Sequence, residues 1–131
     1  MVMQKVIIDS DIIIDHFRKN SPTFDSLVEA AVVNRIKVYL PGIVYTEING
    51  GQDSKDDYKL TKIEKLPEIF EFIAADQDIS QRAGFLLRDY PNLGTADAIV
   101  AATALSLNAK LATRNAKDFE DIKGLKFFKL K

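Results

Sequence analysis

The sequence has no cysteine, a single histidine, and no excess of charge of either sign, its 131 residues carrying a net charge of −1. The missing thiols exclude disulfides, thiolate metal sites and cysteine nucleophiles. With only His16, catalysis by a pair of histidines is excluded as well, and a lone histidine a turn beyond Ile12 reads as a packing or surface residue. A near-neutral chain lacks the global basic field that many nucleic-acid binders use. Any polyanion must therefore be gripped by a local patch, by bound metal or by a second subunit. Long apolar runs are missing too: Val6–Ile8 and Ile12–Ile14 are interrupted by aspartates, far short of the roughly 20 residues a bilayer crossing needs. The N-terminus shows no basic segment followed by an apolar stretch and a cleavage site, so the expected location is cytoplasmic.

What is present is the composition of an ordinary globular protein, 47% apolar and 28% charged, in a length that suits one domain spanning 1–131. Gln4 to Ile8 is short, β-branched and apolar, a buried strand that ends at Asp9. Ser10 is placed to cap a helix starting at Asp11. The spacing of Phe24, Leu27, Val28, Ala31, Val32 and Ile36 predicts a helix over 23–36, and Val38–Leu40 a second strand. Residues 43–48 are β-branched, but Pro41-Gly42 before them and Gly50-Gly51 after them bracket a helix. A long helix is expected over 56–70, a third strand over 70–74, and a further helix over 78–90. The alanine-rich segment 95–108 reads as the clearest helix, capped by Thr95. Leu111–Thr113 and Phe127–Leu130 are the last strands. Strands alternating with helices predict a three-layer α/β/α sandwich on a mainly parallel, five-stranded sheet.

Ligands of such sheets bind outside the carboxyl ends of the strands, and several acids fall there. Asp9 closes the first strand between apolar flanks, so its carboxylate leaves a buried edge, where it must neutralise or find a positive partner. Glu47 is set in Val44-Tyr45-Thr46-Glu47-Ile48, and Asp97 in the first turn of the most apolar helix, where serving the helix dipole is the plainer explanation. Thr113-Arg114-Asn115-Ala116-Lys117-Asp118 follows the last inner strand at the same edge. Oxygen-rich clusters suit Mg²⁺ or Mn²⁺, which keep several waters and accept phosphate oxygens.

In Ile7-Ile8-Asp9-Ser10, Tyr45-Thr46-Glu47-Ile48-Asn49-Gly50, 95–104 and 111–119, taken in order, the chain resembles the PIN-domain family of ribonucleases, and within it the small VapC-like toxins. The resemblance implies Asp9, Glu47 and Asp97 as metal-binding catalytic carboxylates and Asp118 as a fourth, with Asn115 where many relatives carry an aspartate. That neutral amide leaves one ion or two open. Ser10 and Thr113 are expected to support the acids by hydrogen bonds. The resemblance further implies hydrolysis of RNA to a 3′-hydroxyl and a 5′-phosphate, a homodimer, and a small cognate antitoxin that occludes the acidic pocket. Arg82, Arg88, Arg114 and Lys117 are the candidate RNA contacts, Arg114 foremost because it stands beside the acidic segment. Tyr58, Leu66, Phe70 and Phe85 are candidates for a dimer or antitoxin surface, or for ordinary core.

Three alternatives compete with that reading. A phospho-receiver domain needs a lysine just after its last inner strand, where Arg114 stands here. A haloacid-dehalogenase-like phosphatase would use Asp9 as nucleophile and Asp11 as acid, but Ile13 occupies the place of its threonine. A PIN fold that binds RNA or protein without cutting is supported by Asn115 alone.

Overall fold

The computed structural model describes residues 3–19 and 21–130. Val6, Ile7 and Ile8 are each fully buried. Successive strand side chains point to opposite faces, so an unbroken buried run means that both faces are covered. The strand that carries them is β1 (Gln4–Ile8); β2 is Ile36–Pro41, β3 Glu71–Ile73 and β4 Lys110–Ala112. They form a parallel sheet ordered β3-β2-β1-β4, with Val6 between Val38 and Lys110.

Helices make every crossover, as parallel pairing requires. Helices α1 (Ser10–Lys19) and α2 (Pro22–Val32) join β1 to β2. Three helices, α3 (Gly42–Gly50), α4 (Asp57–Glu64) and α5 (Leu66–Ile69), join β2 to β3, and α6 (Gln77–Asp89) and α7 (Thr95–Leu107) join β3 to β4. The small side chains Ala98, Ala101, Ala102 and Ala104 are buried along α7. They let it approach β1 and α3 and, through Ala98 and Ala102, pack against Ile79 and Ala83 of α6.

The α3 segment is helical despite its β-branched residues, as its flanking Pro-Gly and Gly-Gly pairs predict. Gly42 lets the Phe72 ring lie close against its start: a Cβ there would sit 3.2 Å from that ring, which would have to shift by a few tenths of an ångström to admit it. Elsewhere local expectations need correction. The sheet has four strands, not five: Phe127 makes only an isolated parallel bridge to Leu111. That bridge is a single rung, the Leu111 N–H meeting the Lys126 carbonyl and the Phe128 N–H meeting the Leu111 carbonyl, each at 2.8 Å, and one rung does not make a strand. The helix expected over 56–70 is broken, because Pro67 has no N–H to donate and its ring clashes with the carbonyl of residue 63. Ile36 opens β2 instead of ending α2, after Asn34 turns the chain in the left-handed region at φ 58°. Helix α1 begins at Ser10 itself, and α7 is preceded by Gly94 with no side-chain cap, so neither Ser10 nor Thr95 is a capping residue. Leu66 and Phe70 are core, whereas Tyr58 and Phe85 are exposed. Among the described residues, no helix is long and apolar enough to cross a membrane.

Candidate active site

Parallel strands bring their carboxyl ends to one edge, and the acids meet there. The β1–β4 ladder continues one rung past the strands, from the Asp9 N–H to the Ala112 carbonyl at 3.0 Å. Asp9 therefore has sheet-like backbone and a side chain at the rim, only 6% exposed. Its Oδ1 accepts from the Ser10 N–H at 2.8 Å and its Oδ2 from the Thr113 hydroxyl at 2.8 Å. The Ser10 side chain also faces Glu47 on α3, whose carboxyl it lowers against the effect of burial. Both residues expected to support the acids thus touch them.

Burial pushes the Asp9 carboxyl above its ordinary range, and the charges of Asp97 and Glu47 push it further, against the two hydrogen bonds that lower it. Glu47 is raised by burial and by Asp97; Asp97 is raised by burial, by Asp118 and by Asp11. These mutual effects place Asp9, Glu47, Asp97 and Asp118 in one electrostatic neighbourhood. Among the described residues none of these four makes an ion pair. A cavity of about 540 Å³ opens beside Asp97 and Asp118, walled by Tyr90, Asn92, Leu93 and Lys117. Asn115 is exposed and accepts, through its carbonyl, the Asp118 N–H at 2.9 Å.

Asp11 is a member of the cluster that the sequence does not single out for this role. Its Oδ2 accepts from the Arg114 N–H at 2.9 Å and lies 3.2 Å from the Thr113 hydroxyl. That hydroxyl has one proton for two carboxylates. The other oxygen of Asp11, Oδ1, is buried with no hydrogen-bond partner among the described residues. Burial, then the Asp9 charge, pushes this carboxyl up to about 6. The only advance signal is the Asp9-Ser10-Asp11 spacing itself.

The basic candidates separate. Lys117 lines the cavity with the acids. Arg82 is paired with Asp78 at 3.0 Å, and Arg88 with Asp89 at 2.8 Å, on the exposed side of α6. Arg114 is tied down by Asp15, Ser21 and Thr23. His16 stacks on Phe24 with ring centroids 4.2 Å apart, and burial lowers its pKa, so it is a packing residue.

Among the described residues, no three ligand-type side chains converge closely enough to cage an ion unaided. The donor set does fit a hard cation that retains waters: it is all oxygen, uncompensated in charge, and includes the orphaned Asp11 Oδ1.

The PIN domain profile matches residues 6–125. No curated protein matches the chain. Among solved structures, the chain is similar to VapBC2 from Rickettsia felis bound to a promoter DNA fragment, with a TM-score of 0.82 at 21% identity over 98% of this chain and 100% of that one. A toxin-antitoxin complex from Klebsiella pneumoniae gives 0.74 at 29% identity over 92% and 94%. VapBC-1 from nontypeable Haemophilus influenzae gives 0.73 at 24% identity over 95% and 97%.

Proposed function

We propose, because the chain belongs to the PIN domain family, that it is a Mg²⁺- or Mn²⁺-dependent endoribonuclease, one catalytic domain over 1–131 acting in the cytoplasm as the toxin of a toxin-antitoxin pair. The observation that carries this reading is the gathering of Asp9, Glu47, Asp97 and Asp118 at one sheet edge, the first three raised by burial and by neighbouring carboxylates, with no ion pair to any of the four among the described residues. Family membership leaves no support for the phosphatase alternative.

Asp9, Glu47 and Asp97 would hold the ion, with Asp118 and Asn115 at the fourth corner. A divalent ion there supplies Lewis acidity and a nucleophilic water at neutral pH. The protein's part is orientation and charge. Thr113 and Ser10 fix the Asp9 carboxylate, and the Ser10 side chain supports Glu47, so the acids keep their geometry without reorganising during the reaction. Lys117, which lines the acidic cavity, would meet a phosphate of the bound strand, and Arg88 and Arg82 on α6 would serve as backbone contacts once released from Asp89 and Asp78. The complexes of the similar structures from R. felis and K. pneumoniae support a small antitoxin as partner. A homodimer would let two near-neutral chains line one RNA groove.

The test is incubation of total cellular RNA with the protein, with and without Mg²⁺ or Mn²⁺, and mapping of the cut ends. Metal-dependent cuts with 5′-phosphates are expected. RNA binding without cutting in either metal would instead favour the non-catalytic reading, for which Asn115 is the one supporting residue.

A further inference from the structure

The segment that carries the fourth corner has little to hold it locally. After β4 the chain runs through Thr113, Arg114 and Asn115, all but the first exposed, into a single 3₁₀ turn over Ala116–Asp118. Its far end is anchored by Phe119, buried in the core just after the turn, and its near end is held by α1. Asp11 and Asp15 lie four residues apart and so share one face of that helix. Asp11 takes the Arg114 backbone N–H at 2.9 Å, and Asp15 takes the guanidinium Nε at 2.9 Å. The Nη2 of the same guanidinium donates to the Ser21 hydroxyl at 2.6 Å and the Thr23 hydroxyl at 2.9 Å, beyond the end of α1. Thr113, held by Asp9 and Asp11, accepts the Asn115 N–H at 3.0 Å.

We propose that Arg114 is a positioning residue and not an RNA contact: clamped by Asp15, Ser21 and Thr23, it latches the start of the 113–118 segment to α1 and thereby helps to set Asp118 beside Asp97. The geometry is specific to arginine. The planar fork meets a carboxylate through Nε and two hydroxyls through Nη2; lysine's three donors sit on one compact nitrogen and do not span those two positions. A phosphate contact, by contrast, tolerates lysine as a point charge.

The inference rests on the nuclease reading, and two measurements keep the two separable. The variants are Arg114→Lys, Asp15→Ala, the double variant, and Ser21→Ala as the mildest perturbation. Amide hydrogen exchange of the metal-free protein reports the latch itself. In Arg114→Lys and Asp15→Ala, the Arg114 and Asn115 amides should exchange about tenfold faster or more, and β1 amides at the wild-type rate. Calorimetric titration with Mn²⁺ reports positioning. Affinity should fall by about tenfold in each single variant, and the double variant should be no worse, since one interaction has been removed twice. Wild-type exchange in Asp15→Ala, wild-type Mn²⁺ affinity in Arg114→Lys, or additive losses in the double variant would each overturn the proposal. Accelerated exchange in the variants of a wild-type protein that itself binds no Mn²⁺ would overturn the nuclease reading and the positioning role together, leaving only a structural latch.

Discussion

Asp9 and Asp53 are both nearly buried, 6% and 8% exposed, and they keep opposite company. Asp53, in the turn before α4, lies 3.1 Å from the Lys59 ammonium and 3.5 Å from the Arg18 guanidinium. It fastens that turn to α1 and α4. Asp9 accepts from two hydrogen-bond donors and among the described residues makes no ion pair, and its charged neighbours, Glu47, Asp97 and Asp11, are of its own sign. A buried carboxylate matched from within is a fastener, whereas one set among like charges costs stability unless something positive arrives from outside. The same residue type at similar depth thus serves structure in one place and, in our account, chemistry in the other.

Exchanging the charge at each site should break the comparison in opposite ways. Asp9→Asn or Asp97→Asn should lower metal-dependent RNA cleavage by a factor on the order of 10²–10³ or more, while the melting temperature holds or rises. Asp53→Asn should do the reverse: cleavage per folded molecule unchanged, and stability reduced by about 1–3 kcal/mol in urea unfolding. The estimate stays below that for a fully buried pair because Arg18 and Lys59 are themselves part-exposed and can turn to water.

A smaller effect sharpens the contrast through pH. The Asp11 carboxyl is raised in the fold, to about 6 from an ordinary 3.8. Its contribution to stability is therefore fully present below about pH 3.8 and is lost as pH rises through about 6. Metal-free wild type should lose stability relative to Asp11→Asn between pH 4 and pH 7, by roughly 1 kcal/mol or less because the group is partly solvated. Thermal melting of both proteins in chelator across that range measures it; parallel curves would show that the cluster carries no stored repulsion. Asn115→Asp is the mildest change. It adds an acid to an exposed corner and should tighten Mn²⁺ binding by at most about tenfold.

Asp9 and Asp97 stand out in the sequence because each is set in an apolar background at a strand end or a helix start, where a charge has few reasons to be; Glu47, inside α3, and Asp118, in a polar turn, carry no such local signal and are reached only through the order of the four segments. The helicity of α3 was legible from its bracketing glycines and prolines. What escaped is what depends on partners distant in sequence. The bonds of Asp11 to Thr113 and Arg114 span 102 and 103 residues, and nothing local to α1 announces them. For the same reason Arg114 reads as a free cation from its neighbours in sequence and proves to be engaged in space. The long helix expected over 56–70 fails for a local reason: the apolar pattern runs through Pro67, which cannot extend a helix, and the backbone rule overrides the pattern. The fifth strand fell short because apolar alternation cannot reveal that its pairing with β4 stops at a single rung.

The central claim is that the Asp9 cluster is an anionic site completed by a divalent cation. Calorimetric titration of the chelator-treated protein with Mn²⁺ at pH 6, in buffers of different ionisation enthalpy, tests it most directly. Because these carboxyls are raised in the metal-free fold, binding should be measurable, should release protons, and should be lost in Asp9→Asn while persisting in Asp53→Asn. Absence of binding to the wild-type protein, or equal binding by Asp9→Asn, would contradict the account.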